Sequence, residues 1–335
     1  MRKPIKIFVT GGSGFIGSNF IRLLLEEDWA SVVNVDKLSY AAKGENIAHM
    51  RLLDNPAYTF YQSDICNREF IRYILEQELP DVIVNFAAES HVDRSIADPT
   101  DFIRANVIGT SVLLECSKEY GAGLFVQIST DEVYGSLDAN SPSSKETDAL
   151  KPRSPYAASK AAAEYLGMSY FHTHSFPIII TRSSNNYGPY QFPEKILPLF
   201  ITNLIDSRKV PLMWSEENPG LNVRDWLHVE DNCRAIFYVI QHGKAGEIYN
   251  IVGGNERRNI DLTRFLLNQF GFGEEMIEKI PHRLGHDFRY SIDDGKLRAL
   301  GFERRHGNLE EGLRETINWY RQNEAWWRPL KSNKK

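Results

Sequence analysis

The sequence predicts an α/β fold: a doubly wound parallel sheet followed by a smaller, less regular C-terminal lobe. Three observations predict it. Val/Ile-rich runs alternate with helix-period segments through the first half, a glycine-rich turn joins the first strand to the first helix, and the texture changes near residue 186. Beyond that point Pro, Gly and Trp become frequent and the strands shorten. Continuous apolar strands alternating with helices suit a parallel sheet, because helices on both faces bury each strand from both sides.

The elements follow in order. Residues 5–11, "IKIFVTG", read as a strand and 14–28, "GFIGSNFIRLLLEED", as a helix. Strands follow at 31–36, 58–64 and 81–88, separated by helical or mixed sequence. Residues 100–121 form a long helix closed by Gly121, and "LFVQIS" at 124–129 is the next strand. Residues 154–175 form a helix with Ser154 as N-cap and Pro155 in its first turn, and "PIIITR" at 177–182 is a further strand. Helices at 260–271 and 308–323 stand apart in the lobe. The expected division is 1–187 for the nucleotide-binding half, with 222–254 returning to it, and 188–335 for the lobe. Only the terminal "KSNKK" reads as disordered.

Composition narrows the function. The chain has 335 residues, 42% hydrophobic and 25% charged, ordinary values for a soluble globular protein. A net charge of −5 argues against nucleic acid or an anionic membrane as partner, since phosphate binding wants a basic face. Cys66, Cys116 and Cys233 match no zinc or redox spacing and read as buried free thiols. No signal peptide or membrane span is expected, so a cytoplasmic location is. The pairs His282/His286 and His172/His174 lack a third ligand at a recognised spacing, so no metal is expected. Trp326-Trp327 reads as a packing anchor.

The glycine turn carries the first chemistry. Gly11, Gly14 and Gly17 in "TGGSGFIG" lie between strand and helix, where glycines allow a tight turn and let backbone N–H groups approach a pyrophosphate. Asp36 ends the next strand, 19 residues after Gly17, where a carboxylate accepts hydrogen bonds from an adenosine ribose. An acid there repels a 2′-phosphate, favouring NAD over NADP in a Rossmann-type site.

Tyr156 and Lys160 lie four residues apart on one face of their helix. A lysine ammonium beside a phenol stabilises the phenolate, so the tyrosine is expected to serve as a base. By spacing alone such a pair is also compatible with an ordinary helix surface. Two further acids, Asp131 and Glu132, stand where the 124–129 strand ends, in "ISTDEVYGS".

"GGSGFIG", "NFAAESHVDRS", "STDEVYG", "SPYAASK" and "TRSSNNYGP", in this order, resemble the extended short-chain dehydrogenase/reductase family over nearly the whole chain. Within it, "ESHVDRSI", "STDEVYG", "YGPYQFPEKILP", "LNVRDWLHVED" and "GHDFRY" look like the dTDP-glucose 4,6-dehydratases. The resemblance implies that Tyr156, aided by Lys160, takes the proton from a sugar C4 hydroxyl while hydride leaves C4 for NAD, with Thr130 bonded at the same oxygen. Glu132 then removes the acidified C5 proton, Asp131 assists loss of the C6 hydroxyl as water, and hydride returns to C6. Two carboxylates with opposite tasks need environments that separate their pKa values. The resemblance also implies a cofactor set of Gly11, Gly14, Phe15, Ile16, Gly17, Asp36, Lys37, Ser39, Asp64, Ile65, Ala87, Tyr156, Lys160 and Asn186. Ser90, Thr130, Asn185, Lys195, Ile196 and Arg224 are implied around the sugar diphosphate, and Leu212, Trp214, Asn250, Arg283 and His286 at the nucleotide end. A homodimer through the 100–121 and 154–175 helices is implied as well.

Two loops depart from the dehydratase pattern. Leu212 and Trp214 stand where the family has proline and tyrosine, before a longer, more acidic turn, and His282-Arg283-Leu284-Gly285-His286 replaces Asp-Arg-Pro-Gly-His. Both touch the nucleotide end, which leaves a uracil base or a 2-acetamido sugar open. A C4 epimerase would use Tyr156 and Lys160 without needing Asp131 and Glu132, and a non-catalytic NAD sensor would need none of the four.

Overall fold

In the computed structural model, which describes residues 5–40, 42 and 44–332, six strands alternate with helices to build the first half. They are β1 (Ile5–Thr10), β2 (Ala30–Asp36), β3 (Tyr58–Gln62), β4 (Val82–Asn85), β5 (Leu124–Thr130) and β6 (Ile178–Ser183). Shorter strands follow: β7 (Asn185–Tyr187), β8 (Val210–Met213), β9 (Val223–His228), β10 (Ile248–Ile251), β11 (Glu256–Arg258) and β12 (Ile277–Ile280). The main sheet runs β10-β6-β5-β4-β1-β2-β3, with every pair parallel. This is the doubly wound sheet expected from the alternating apolar runs. The chain reverses its direction of winding between β1 and β4, and crevices open beyond the carboxyl ends of strands at such a point. Thr10 and Asn85 are register partners there, and the Thr10 hydroxyl donates to Asn85 Oδ1 at 2.6 Å.

Helices cover both faces. Phe20, Leu23 and Leu24 of the Phe15–Glu26 helix join Ile236 and Val239 of the Val229–His242 helix in one core against the sheet. Ile71 and Ile74 of the Arg68–Glu78 helix, with Leu113 and Leu114 of the Thr110–Tyr120 helix, form the opposite core. Residues 229–251 therefore pack on the main sheet although they follow the lobe's first helix. In the lobe itself Tyr187, Phe200, Leu266, Ile317 and Trp327 share a separate core. Trp327 is fully buried and donates its indole N–H to the Tyr320 carbonyl at 2.8 Å.

Ser154 caps its helix by accepting from Ala157 N, Pro155 occupies the first turn, and Gly121 ends the preceding long helix at φ 81°. That long helix is not uniform: Ile103–Gly109 is π-helical. The widened turn carries Asn106, whose side chain accepts from Glu89 N and donates to Glu89 O and to Ser159 Oγ. Apolar periodicity does not reveal such a bulge; the amide of Asn106, clamping the segment after β4, accounts for it. Cys116 and Cys233 are buried and Cys66 only partly so, all as free thiols. Among the described residues no helix is long and apolar enough to cross a membrane. Residues 333–335 of the tail read as disordered lie outside the described residues.

Candidate active site

A cleft of about 1280 Å³, including its open mouth, lies over the carboxyl ends of β1, β2, β4 and β5. Every cofactor residue named from the sequence lines it except Asn186. Its floor is the glycine turn. Gly11 has φ 68°, and a Cβ there would lie 2.6 Å from Ala87 N, so only glycine fits against the segment after β4. A Cβ on Gly17 would overlap the Gly11 carbonyl. The Phe15–Glu26 helix starts at Gly14 with no side-chain cap and no acid in its first turn. Its first N–H groups thus point into the cleft with the helix dipole behind them, which fits a diphosphate. Asp36 Oδ2 accepts from Ser13 N at 2.9 Å and Oδ1 from Leu38 N at 2.8 Å. These bonds aim the carboxylate while burial raises its pKa, and its remaining lone pairs suit ribose hydroxyls. Lys37 pairs with Glu89 at 3.0 Å. Asn186 sits behind the cleft wall, donating to Ser184 O and accepting from Asn232.

β5 delivers the acids. Thr130, its last residue, caps the short Asp131–Tyr134 turn: its hydroxyl accepts from Glu132 N at 3.3 Å and donates to Asp131 Oδ1 at 3.2 Å. Gly135 then leaves the turn at φ 83°, where a Cβ would collide with the Lys151 carbonyl. The two carboxyls meet different surroundings. Burial raises the pKa of Asp131 well above the carboxylate range and the neighbouring Glu132 adds to it, while Oδ2 has no hydrogen-bond partner. Burial raises Glu132 too, but Arg283, Arg224 and Lys195 oppose it. Asp131 is therefore the readier proton donor and Glu132 the readier base.

The tyrosine differs from the sequence expectation. Lys160 Nζ donates to the Ile128 carbonyl at 2.5 Å, and burial lowers its pKa to about 8 against an opposing pull from Glu164. Tyr156 is raised, not lowered: burial acts first, then the charges of Glu132 and Asp131, with the Thr130 hydroxyl pulling the other way. The two acids therefore work against the phenolate, and the lysine's charge is directed at the backbone of β5.

Around Glu132 the structure gathers Lys195, Arg224, Arg283 and His286. Arg224 is buried, lies 4.2 Å over the Tyr290 ring and donates to the carbonyls of Val223, Asp287 and Phe288. Carbonyls fix the guanidinium without neutralising it, and the nearby Glu132 acts on it only through its charge, so its fork suits an anion. Lys195 Nζ likewise bonds a carbonyl, that of Ser90, at 2.9 Å. His282 Nε2 lies 2.9 Å from the Asn218 carbonyl and must carry a proton; its Nδ1 shares the other with His286 Nδ1 at 3.0 Å. Burial and the nearby arginines hold the His286 pKa well down. Ile196 opens the Ile196–Ile205 helix beside Lys195, and Asn185 begins β7 with a buried Oδ1 that has no partner.

Two residues assigned to the nucleotide end, Asn250 and Leu212, are placed differently. Asn250 is completely buried; it accepts from the Tyr134 hydroxyl and donates to the Ser144 and Asp293 carbonyls, so it braces the acid turn and does not face a ligand. Leu212 packs under the Gly220 turn at 1% exposure and offers the cleft no side-chain surface. Trp214 carries the Lys279 ammonium 4.2 Å over its ring. Asn259, which the sequence did not single out, has a buried Oδ1 without a partner, and its N–H donates to Asn222 O beside the Arg224 wall. Nothing in its spacing marks it; an orphaned buried oxygen does. Away from the cleft, ligand atoms of His228, Glu230 and His306 come within 4.8 Å of one another, but the two imidazoles stack and do not converge on a point.

A parallel doubly wound sheet, an uncapped glycine turn and a Tyr156/Lys160 pair beside two acids define a class: a dinucleotide-dependent enzyme acting at a hydroxyl-bearing carbon. The chain belongs to the GDP-mannose 4,6 dehydratase family, whose model matches residues 8–321. It is 46% identical over 334 residues to dTDP-glucose 4,6-dehydratase of Streptomyces niveus, covering 98% of this chain and 96% of that protein. The crystal structure of DesIV, a dTDP-glucose 4,6-dehydratase from Streptomyces venezuelae solved with NAD, superposes with a TM-score of 0.92 at 45% identity, covering 97% of this chain and all of that one. UDP-glucose 4-epimerase from Thermotoga maritima superposes with a TM-score of 0.86 at 30% identity, covering 96% of this chain and 100% of that one.

Proposed function

We propose that this chain is a nucleotide-sugar 4,6-dehydratase that converts dTDP-glucose to dTDP-4-keto-6-deoxyglucose and water with bound NAD. One observation carries the reading against an epimerase. Two carboxyls at the end of β5 lie in surroundings that separate their pKa values, beside the tyrosine an epimerase also needs. NAD supplies a hydride acceptor at C4 and the same hydride for C6. The chain's residues do the rest. Tyr156 takes the proton of the C4 hydroxyl, with Thr130 bonded at that oxygen and Lys160 behind it. Since burial and the two acids hold the tyrosine's pKa up, its ionisation calls for the positive charge that an oxidised nicotinamide would bring beside it. Glu132 removes the C5 proton, made acidic by the new ketone, and Asp131 gives its proton to the departing C6 oxygen. Return of the C5 proton as hydride reaches C6 restores Glu132, and the proton that Tyr156 took from the C4 hydroxyl replaces the one Asp131 gave to water.

Lys195 and Arg224 hold the diphosphate, with Arg283 and His286 nearby. The supporting feature is the way these cations are held: Lys195 and Arg224 hydrogen-bond carbonyls, not carboxylates, with Glu132 acting on them only through its charge. The proposed division remains 1–187 with 222–254 for NAD and 188–335 for the nucleotide sugar, with one correction: β9 at Val223–His228 lies in the small sheet with β7 and β11, so Arg224 serves the sugar side. A homodimer through the 100–121 and 155–174 helices is part of the proposal, supported by Ile103, Ile108 and Tyr165 at 49%, 51% and 63% exposure on those helices. A cytoplasmic location fits the free thiols.

The test incubates purified protein with dTDP-glucose, UDP-glucose, UDP-N-acetylglucosamine and CDP-glucose and weighs each product. Loss of one water from dTDP-glucose at the highest kcat/KM supports the assignment. Preference for a UDP-sugar reassigns the base, and an unchanged mass with inverted C4 replaces dehydration by epimerisation.

A further inference from the structure

The proposed chemistry imposes a condition on the cleft. Electrons taken from C4 must return to C6 of the same sugar, so a dinucleotide lost in mid-cycle strands a keto intermediate. Some part of the protein has to hold the cofactor through every step, and the glycine turn would meet only its diphosphate end. Three segments wall the opposite side: Ser39 and Ala42 after β2, Ala87, Ala88 and Ser90 after β4, and Gln191 to Lys195 after β7.

These segments converge on one carboxylate. Glu194, whose side chain is 6% exposed, accepts from the Tyr40 hydroxyl at 2.9 Å and from Arg94 Nη2 at 3.5 Å, with His91 Nε2 at 3.7 Å. Tyr40 belongs to the segment after β2; Arg94 and His91 belong to the one after β4. The Arg94 guanidinium lies 3.5 Å over the Tyr40 ring, and Phe192 meets that ring edge-on at 5.9 Å. Weaker ties run alongside, Lys37 to Glu89 at 3.0 Å and Lys195 Nζ to the Ser90 carbonyl at 2.9 Å. Neither joins all three segments, whereas Glu194 does. A buried carboxylate with charged and neutral donors from two other segments forms charge-assisted bonds that must break together before the walls part.

We propose that Glu194 is a positioning residue that clasps the three walls over the dinucleotide and keeps it resident between oxidation at C4 and reduction at C6. This rests on the proposed function. The clasp makes no contact with the reacting carbons; it sets the rate at which cofactor leaves.

The test measures NAD retention on the holoprotein. Wild type, Glu194→Gln and Tyr40→Phe are desalted, and bound NAD is quantified over time; turnover of dTDP-glucose is then followed with and without added NAD. Glu194→Gln should release NAD about tenfold faster or more, the loss expected for a charge-assisted bond, and its turnover should come to depend on added NAD. Tyr40→Phe removes only the hydroxyl and reads the same link if Glu194→Gln misfolds. Release at the wild-type rate from either folded variant overturns the clasp. A wild-type protein that holds no NAD and needs none overturns the proposed function as well, so the two failures are told apart.

Discussion

Replacing Glu164 by glutamine tests how the catalytic helix is held. Glu164 lies one turn beyond Lys160 on the Pro155–His174 helix and meets Arg182 of β6 through three hydrogen bonds of 2.6 to 3.1 Å, with both side chains 3% exposed or less. Arg182 Nη1 also donates to the Tyr134 hydroxyl at 2.6 Å, and Tyr134 closes the turn that carries the two acids. Glu164→Gln keeps the shape but leaves the Arg182 charge buried without a counter-ion, a change that costs about 3–5 kcal/mol. Denaturant unfolding measures it, and Arg182→Met in the same background should recover part of the loss. A second readout belongs to Lys160. Glu164 is the charge that opposes desolvation of that ammonium, so its loss lowers the Lys160 pKa below about 8. The basic limb of the pH–rate profile should move down. A loss of stability under about 1 kcal/mol, or a limb that stays fixed, would show that Glu164 holds neither Arg182 nor Lys160 in this way.

Further outcomes follow from the acids and the glycine turn. Asp131 acts protonated and Glu132 ionised, so activity should fall as pH drops through the raised Glu132 pKa and fall again as Lys160 and Asp131 lose protons; kcat against pH should be bell-shaped, with its acid limb above 4.5. Asp131→Asn should lower kcat by about 10²–10⁴ while leaving C4 oxidation visible as transient reduced cofactor. Gly17→Ala places a Cβ on the Gly11 carbonyl and should abolish NAD retention after gel filtration.

Much of this was legible in the sequence because the physics is local. Apolar runs reveal a parallel sheet whose strands are buried on both sides, Ser154-Pro155 announces a helix start, and Gly11 and Gly17 mark a turn whose backbone has no room for a Cβ. The spacing of Tyr156 and Lys160 places them on one face. It does not reveal where the ammonium points, because the Ile128 carbonyl that takes it comes from another element. Asn250 shows the same limit: its partners Tyr134, Ser144 and Asp293 are brought together only by the fold. The π-helical turn at Ile103–Gly109 and the Glu194 convergence also depend on contacts between distant segments. The nucleotide end, where Leu212 proved a buried prop, was the least legible for that reason.

The proposed dehydration turns on Glu132 as the base that removes the C5 proton. Glu132→Gln, mixed with NAD-loaded protein and dTDP-glucose in a stopped-flow instrument and sampled by mass spectrometry, tests it most directly. The expected result is a rise in reduced-cofactor absorbance from C4 oxidation, no exchange of the C5 proton with deuterium oxide and no loss of water. Dehydration at the wild-type rate by this variant would contradict it.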